Sequence, residues 1–433
     1  MPFPGQSRRY RWIAGDDVPD QCGVAPTHTI RIEREKDMAL RDLLDQAREI
    51  EGYLTEIRHR IHRNPELGSQ DTKTTALIRE EISRLGLEIQ PLELDTGVVA
   101  VLRGKGAGPE TVTGLRADMD ALPITERTGL PYASRNQGVM HACGHDGHVA
   151  LLLGAARLLS GLSDRFSGMV KFLFQPAEEL LTGARAMIDA GCLRDPVPER
   201  IIAAHGWPNI EAGKVGVLGG PAMASADKFL VRLKGRGGHG AYPHRAMDPV
   251  LAAAHTVTAM QGIISRETDA LEQAVVSVCT MEAGRAFNVI PGEALLGGTV
   301  RCMREGLQKD IRGRLERVVK GTAAAFGCEG SLEWTELVPV LVNDPELTRT
   351  VEETAREMLG PDRVEKLAGP SMGSEDFSLY LGEVPCGVLF RLGLAVPGKN
   401  RVPLHNDQFD FTDSALTVGA AMMTGLVLQI HSS

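Results

Sequence analysis

The stretch "ALLLGAARLL", residues 150–159, decides the fold class through the two runs on either side of it. It has the apolar spacing of a buried helix, and it lies between "TVTGLR" (111–116) and "MVKFLF" (169–174), which are apolar runs of strand length. A second helical pattern at 183–191 precedes a third strand-like run at 200–207. Strands that alternate with helices predict an α/β domain with a mostly parallel sheet, covered by helices on both faces.

A different order of elements interrupts this alternation. It reads β-α-β-β-α-β, with strands and helices predicted at 227–233, 248–266, 274–280, 293–302, 307–327 and 331–337. That order is typical of a ferredoxin-like α+β domain. We therefore predict an N-terminal extension (1–40), a discontinuous α/β domain (41–222 and 337–433) and an inserted domain (223–336).

Composition excludes several classes of protein. The 433 residues are too many for one ordinary core, and 43% hydrophobic with 24% charged residues is typical of globular chains. The net charge of −9 argues against a nucleic-acid partner. We find no stretch approaching 18 uncharged apolar residues and no secretory signal, so no membrane span is expected. Seven dispersed cysteines without a CxxC pair indicate reduced thiols and a cytoplasmic location.

Polar residues cluster just after the predicted strands. Asp118 and Asp120 follow the first strand, Glu178 and Glu179 follow the second, and His205 ends the third. In open α/β sheets, ligands bind in the crevice beyond the carboxyl ends of the strands. Any one of these residues is more often a surface, cap or core residue than a ligand. Their joint occurrence, together with "MHACGHDGH" (140–148), favours a metal site.

Seven segments carry a resemblance to a known family. They are "GLRADMDALPITE" (114–126), "MHACGHDGHVALLLGAARLL" (140–159), "FLFQPAEE" (172–179), "GRGGHGAYPH" (235–244), "NVIPGEALLGGTVR" (288–301), "GSEDFSLY" (373–380) and "PLHNDQFDF" (403–411). In this order they resemble the M20D amidohydrolases, the hippurate hydrolase and auxin-amino-acid hydrolase branch of the M20 metallopeptidases. The resemblance runs from about residue 45 to the C-terminus and leaves out the N-terminal extension.

The resemblance implies a site with two divalent metal ions, Zn²⁺ or Mn²⁺. The residues that match the family's ligands are Cys143, His145, Glu179, His205 and His405. Cys143 matches the residue that bridges the two ions, and Glu178 matches the general base. Asp118 matches an acid that steadies a ligand, and His141, Asp146 and His148 are expected to orient ligands from behind.

The resemblance also implies a substrate site. His239, Asn288, Arg301 and Gly373 match substrate-binding positions, with His239 also catalytic through stabilisation of an oxyanion. In the family, the inserted domain is a lid that forms a homodimer, and His239 reaches across from the partner. The expected reaction is hydrolysis of the amide bond of a small N-acyl or N-aroyl amino acid, with Glu178 moving a proton from water to the leaving nitrogen.

Two departures from the family pattern leave the substrate open. Leu180 and Leu181 follow Glu179, where small residues are usual in the family. The sequence "AHGWP" (204–208) also differs from the more common family sequence around the ligand histidine. Two bulky leucines beside the base predict a narrower or more apolar pocket. One alternative is therefore hydrolytic deamination of an amine-bearing aromatic acid at the same metals. Another is a binding protein without activity, although the base and all five matching ligands are present.

Overall fold

The computed structural model describes residues 40–398 and 401–431. The predicted extension therefore lies outside the described residues except for its last position. The helices are α1 (40–49), α2 (Glu51–His62), α3 (Thr72–Arg84), α4 (His145–Gly161), α5 (Gly183–Asp189), α6 (Pro249–Gly262), α7 (Leu307–Ala325), α8 (Pro345–Leu359), α9 (Phe377–Tyr380) and α10 (Ser414–His431).

Sixteen strands are present in the described residues. They are β1 (Glu88–Gln90), β2 (Val98–Arg103), β3 (Val112–Asp118), β4 (Met169–Gln175), β5 (Arg200–Glu211), β6 (Val215–Val217), β7 (Gly220–Met223), β8 (Ala226–Lys234), β9 (Gly238–His239), β10 (Ala274–Ala283), β11 (Val289–Ile290), β12 (Glu293–Cys302), β13 (Glu329–Val338), β14 (Leu341–Asn343), β15 (Val364–Lys366) and β16 (Cys386–Ala395).

The large sheet has eight strands in the order β1-β2-β4-β3-β5-β16-β6-β15. Its four central strands, β4, β3, β5 and β16, run parallel, as the sequence predicted. The pairs β1–β2 and β2–β4 are antiparallel, and so is β16–β6. The fold is thus a mixed α/β fold with a mostly parallel centre, and the carboxyl ends of its central strands meet at one edge.

Helices cover both faces of this sheet, and the strands alternate between them. Ile202 and Ala204 of β5 face the cluster formed with α2, α4 and α10, whereas Ile201 and Ala203 face the cluster formed with α5 and α9. This period of two is what a strand buried on both faces requires. It explains why β3, β4 and β5 read as continuous apolar runs in the sequence.

A second sheet of four antiparallel strands has the order β10-β12-β8-β13, and α6 and α7 pack on one of its faces. This is the ferredoxin-like arrangement that the sequence predicted. The predicted helix over 248–266 is interrupted: α6 ends at Gly262 and residues 263–267 form a π-helical turn. The exact division of the chain into domains stays a prediction.

Helix α10 has the length of a membrane span, although its serine, threonine, glutamine and histidine residues mean that it is not a run of 18 apolar residues. It has 18 residues with a mean hydropathy of 1.3, so it is long and apolar enough to cross a bilayer by composition alone. However, 83% of it is buried inside the protein. A helix that is apolar all round is also what a core position requires, and α10 packs in the main cluster beside α2 and α4.

Candidate metal centre and active site

The five predicted metal ligands meet at the carboxyl edge of the central strands. Glu179 follows β4, and His205 lies within β5, which is longer than the sequence suggested. Cys143 and His145 stand at the start of α4, just before and just after Gly144, whose φ of 88° suits glycine. His405 comes from the loop before α10. Four separate segments of the chain, three connections and one strand, therefore bring the predicted ligands to one place.

The ligands form two overlapping groups that share Cys143. Cys143, His145 and His205 have donor atoms within 4.8 Å of one another, and so do Cys143, Glu179 and His405. The Sγ of Cys143 lies 3.6 Å from Nε2 of His205. Oε1 of Glu179 lies 3.4 Å from Nε2 of His405. A single thiol common to two such groups is the arrangement that a bridging ligand needs.

Both buried ligand histidines use Nδ1 for a hydrogen bond behind the site and direct Nε2 towards the other predicted ligands. Nδ1 of His205 donates to the carbonyl of Gly206 at 2.8 Å, and Nδ1 of His145 donates to Asp120 Oδ1 at 3.2 Å. Nε2 of His145 is buried with no hydrogen-bond partner. Metal-ligating histidines usually donate their other ring N–H to a carbonyl or carboxylate in this way.

Asp120 is the functional residue whose role the sequence reasoning missed. Besides His145, its carboxylate accepts the backbone N–H groups of Glu178 and Glu179, both at 3.1 Å. It therefore fixes a ligand histidine, the predicted base and a ligand carboxylate at once. The sequence places Asp120 just after β3 but does not reveal its role, because its partners depend on how the turn after β4 folds back.

Asp118, predicted to steady a ligand, makes a different contact. Its Oδ1 accepts from Nδ1 of His148 at 2.6 Å, and its Oδ2 accepts from Arg116 at 2.7 Å. Nε2 of His148 in turn accepts the N–H of Gly206 at 2.8 Å. Both ring nitrogens of His148 are thus used, and its contact with Gly206 supports the strand segment that carries His205. The direct bond to a ligand histidine belongs to Asp120 instead.

Several buried carboxylates surround the predicted ligands, and a bound cation would balance their negative charge. Burial lowers the pKa of His145, but Asp118 and Asp120 outweigh it and raise that pKa to about 10. Burial raises the pKa of the Cys143 thiol well above its usual value, and Glu179 adds to this. Burial and the neighbouring His148 hold the pKa of His205 well below its usual range, so His205 is neutral.

Glu178, the predicted base, sits among other carboxylates. It is buried, and burial together with Glu375 and Asp376 raises its pKa well above the usual value. Arg116 donates to both of those neighbours, at 2.9 and 3.1 Å, and so ties the segment after β15 to the end of β3. The roles of Arg116 and Glu375 could not be read from the sequence, because their contacts join segments far apart in the chain.

A cavity of about 470 Å³ opens onto these groups. Its lining includes Cys143, Glu178, Glu179, Leu181, His205, Trp207, Met223, Arg301, Ser371, Gly373, Ser374, Glu375, Leu404 and His405. Arg301 and Gly373, which were predicted to bind substrate, therefore both line this cavity, and Arg301 donates to Met372 O and Ser374 Oγ at 3.2 and 2.8 Å. Leu181 lines the cavity as expected, whereas Leu180 is absent from the lining and 53% exposed.

His239 and Asn288 lie elsewhere. The small ladder of β9 and β11 brings them together, because His239 pairs with Val289 and the N–H of Gly240 donates to Asn288 O at 2.8 Å. Both residues are exposed, and neither lines the cavity. The structure thus places these two predicted substrate residues beside each other, away from the cavity of their own chain.

Comparison with known proteins assigns the chain to a family. Residues 114–429 match the family model for peptidase family M20/M25/M40. The protein is a member of the M20 family. It is accordingly a hydrolase that acts on carbon–nitrogen bonds, and it is similar to members of the hippurate and auxin-conjugate hydrolase branch.

Three relatives illustrate the similarity of this M20 protein. It is 37% identical to the hippurate hydrolase of Campylobacter jejuni over 90% of this chain and 99% of the relative. It is 37% identical to the IAA-amino acid hydrolase ILR1-like 2 of Arabidopsis thaliana, over 88% and 86%. The crystal structure of Bacillus subtilis YXEP, a dinuclear metal-binding M20 peptidase, matches with a TM-score of 0.77 and 33% identity, over 89% and 99%.

Proposed function

We propose that this M20 hydrolase is a dinuclear metal-dependent amidohydrolase that cleaves the amide bond of N-acyl or N-aroyl amino acids. The observation that carries the proposal is the pair of ligand groups sharing Cys143, with Glu178 and Arg301 lining the same cavity. The two ligand groups would hold two divalent ions, Zn²⁺ or Mn²⁺, and Cys143, which belongs to both groups, would be the ligand that the ions share. The thiolate favours zinc, and the carboxylate and imidazole ligands suit either ion.

The donor atoms fit such ions. Nε2 of His145 and Oε1 of Glu179 are both buried without a hydrogen-bond partner. Buried polar atoms normally have partners, so a cation is the natural partner for two acceptors that face one space. The same cation would permit a Cys143 thiolate, whose formation burial and Glu179 otherwise oppose.

When bound, the ions polarise the substrate carbonyl and acidify water. Glu178 lies in the cavity wall, where its carboxylate would accept a proton from water and hand it to the leaving nitrogen. Asp120 holds the backbone of Glu178 in place through its N–H group. Arg301, braced by Ser374, is positioned to receive a substrate carboxylate, and Gly373 lines the cavity beside Ser374 without adding a side chain.

The relatives support the substrate class. One is named for hippurate and another for an indole-acetic acid conjugate of an amino acid, and both names describe an acyl group joined to an amino acid. The decisive experiment gives the protein Zn²⁺ or Mn²⁺ and measures amino-acid and ammonia release from a panel of N-acyl amino acids and aminobenzoic acids. Amino-acid release supports the proposal, and ammonia alone overturns it.

Deamination of an amine-bearing aromatic acid is the second candidate. The two leucines after Glu179 favour it, but only Leu181 lies in the cavity wall. The same experiment decides between the two. An inactive binding protein is a third, weaker candidate, and absence of any turnover after metal loading would favour it.

The cytoplasmic location stays a prediction. The six cysteines among the described residues are all free.

We further propose a homodimer in which His239 of one subunit serves the metals of the other. Three observations support it: His239 is exposed, it lies outside the cavity of its own chain, and Phe287, next to Asn288 in the chain, is fully exposed. Strand β10 is also an edge strand with mostly exposed residues in its second half. Edge strands with free backbone groups favour pairing, and twofold dimers are the commonest oligomers.

A further inference from the structure

A buried arginine without an acidic partner stands behind the active site. Arg391 lies on β16 and is 7% exposed. Among the described residues, no carboxylate lies within ion-pair distance of its guanidinium, whose only hydrogen bond is a long one of 3.5 Å to the carbonyl of Ala222. Burial lowers its pKa to about 10, with no charged neighbour to raise it. Burying an unpaired guanidinium is costly, so its position needs another explanation.

The explanation is the contact that Arg391 makes with Trp207. The guanidinium carbon lies 4.0 Å from the centre of the indole ring, which is the geometry of a cation–π pair. The strand register puts Arg391 opposite His205, two residues before Trp207 on β5, so all three side chains project from the same face of the sheet. The cation holds the indole beside the ligand His205, whose ring lies 5.9 Å away.

Trp207 in turn forms part of the cavity wall. It lines the cavity together with Leu181, Met223 and Leu404. Because Arg391 covers one face of the ring, the cavity meets the opposite face or the edge. A rigid indole beside a metal ligand therefore offers flat apolar surface close to where a scissile carbonyl would be held.

We propose that Trp207 is the specificity-determining residue for the acyl group, that it selects aromatic acyl groups by stacking, and that Arg391 is the residue that positions it. This inference rests on the proposed amidohydrolase function. The substrate then lies with its aromatic ring at Trp207 and its carboxylate at Arg301. Arg391 itself is absent from the cavity lining, so its effect passes through the indole.

The first experiment compares two substrates that differ only in the acyl group, N-benzoylglycine and N-acetylglycine. Trp207→Leu should lower kcat/KM for the benzoyl substrate about 2- to 12-fold more than for the acetyl substrate, since an aromatic contact contributes that much beyond burial. Trp207→Phe should retain most of the preference. Metal content is measured for each variant, because His205 is near.

Arg391 is tested by a conservative pair of variants. Arg391→Met should raise KM for the benzoyl substrate while kcat stays within about 2-fold, and Arg391→Lys should restore much of the preference, because it keeps a cation. Arg232→Met is the matched control, since Arg232 pairs with Glu293 on the four-stranded sheet, away from the cavity. An equal rise in KM for both substrates would mean that Arg391 binds the carboxylate itself, and would overturn the proposal.

A fluorescence titration separates this inference from the proposed function. The chain has three tryptophans, so Trp12→Phe combined with Trp334→Phe leaves Trp207 as the only indole. Benzoate should change its emission saturably and acetate should not, whether or not any amide is hydrolysed. If amides are cleaved but benzoate has no effect and Trp207→Leu leaves the preference unchanged, the inference fails while the function stands. If benzoate binds but no amide is cleaved, the function fails and the aromatic platform remains.

Discussion

Replacement of Asp120 by asparagine tests the organisation of the metal centre most directly. The carboxylate takes the ring N–H of His145 and the N–H of Glu178 on Oδ1, and the N–H of Glu179 on Oδ2. An asparagine amide has one oxygen, so its NH₂ group must face at least one of these donors. The substitution keeps the size of the side chain and changes only what it can accept.

The expected loss follows from these contacts. A hydrogen bond to a charged acceptor contributes about 1.5–3 kcal/mol, and at least one is lost. That corresponds to a factor of about 10–100 in an equilibrium constant, which agrees with the usual effect of removing a group that orients a metal ligand. Asp120→Asn should therefore bind Zn²⁺ or Mn²⁺ about 10- to 100-fold more weakly and lose turnover at limiting metal.

Competition with a chromophoric chelator measures this affinity. The control is Asp227→Asn. Asp227 is a buried residue of the four-stranded sheet that accepts a hydrogen bond from Gln308 Nε2 at 2.7 Å, and an asparagine oxygen can still accept that bond. The control should bind metal like the unaltered protein. Unchanged metal affinity and unchanged turnover in Asp120→Asn would refute the idea that this carboxylate organises the site.

Three further predictions follow from the same structure. Glu178→Gln should retain its metals and lose about 10²–10⁴-fold in kcat; metal analysis with steady-state kinetics checks both, and near-normal rates would place the base elsewhere. A mixture of His239→Ala and Glu178→Gln subunits, each inactive alone, should regain activity after subunit exchange, because one site in the mixed dimer has both normal groups; no recovery despite demonstrated exchange would place His239 outside the partner's site. Burial lowers the pKa of His62, but Asp146 at 2.8 Å outweighs it and raises that pKa to about 9. The stability it provides is complete below about pH 6.5, falls as the pH rises through 9, and amounts to at most about 3 kcal/mol. The Tm should therefore fall more between pH 6.5 and 9 in the unaltered protein than in His62→Gln, and equal slopes would contradict this.

Much of the fold could be predicted because the central strands are buried on both faces. The mostly apolar composition of runs such as 111–116 and 169–174 reflects this burial on both faces. Strand β2 (Val98–Arg103) also has an apolar run, yet its antiparallel pairing with β4 depends on contacts that periodicity does not encode. The order of strands, and the antiparallel pair at the β1 edge, follow from those contacts.

The candidate site likewise has one part that the sequence predicted and another part that depends on contacts between distant segments. The identities of the presumed ligands came from long motifs, and the structure brings all five together. The tasks of Asp120 and Arg391 were not predicted, because both depend on partners far away along the chain. Asp120 needs the turn after β4, and the isolation of Arg391 from any carboxylate appears only when β16 is placed beside β5.

The position of β16 has a consequence for biosynthesis. This strand lies between β5 and β6, although it is made after the whole ferredoxin-like unit, which spans Ala226–Val338. While the ribosome is still translating, β5 keeps an open edge and α4 lacks α10, so the larger core cannot close. The smaller unit has all its strands and both its helices much earlier, and nascent chains generally fold such units as they emerge. The inserted unit should therefore fold before the core into which it is inserted, and the last predicted ligand, His405, is made only after that unit.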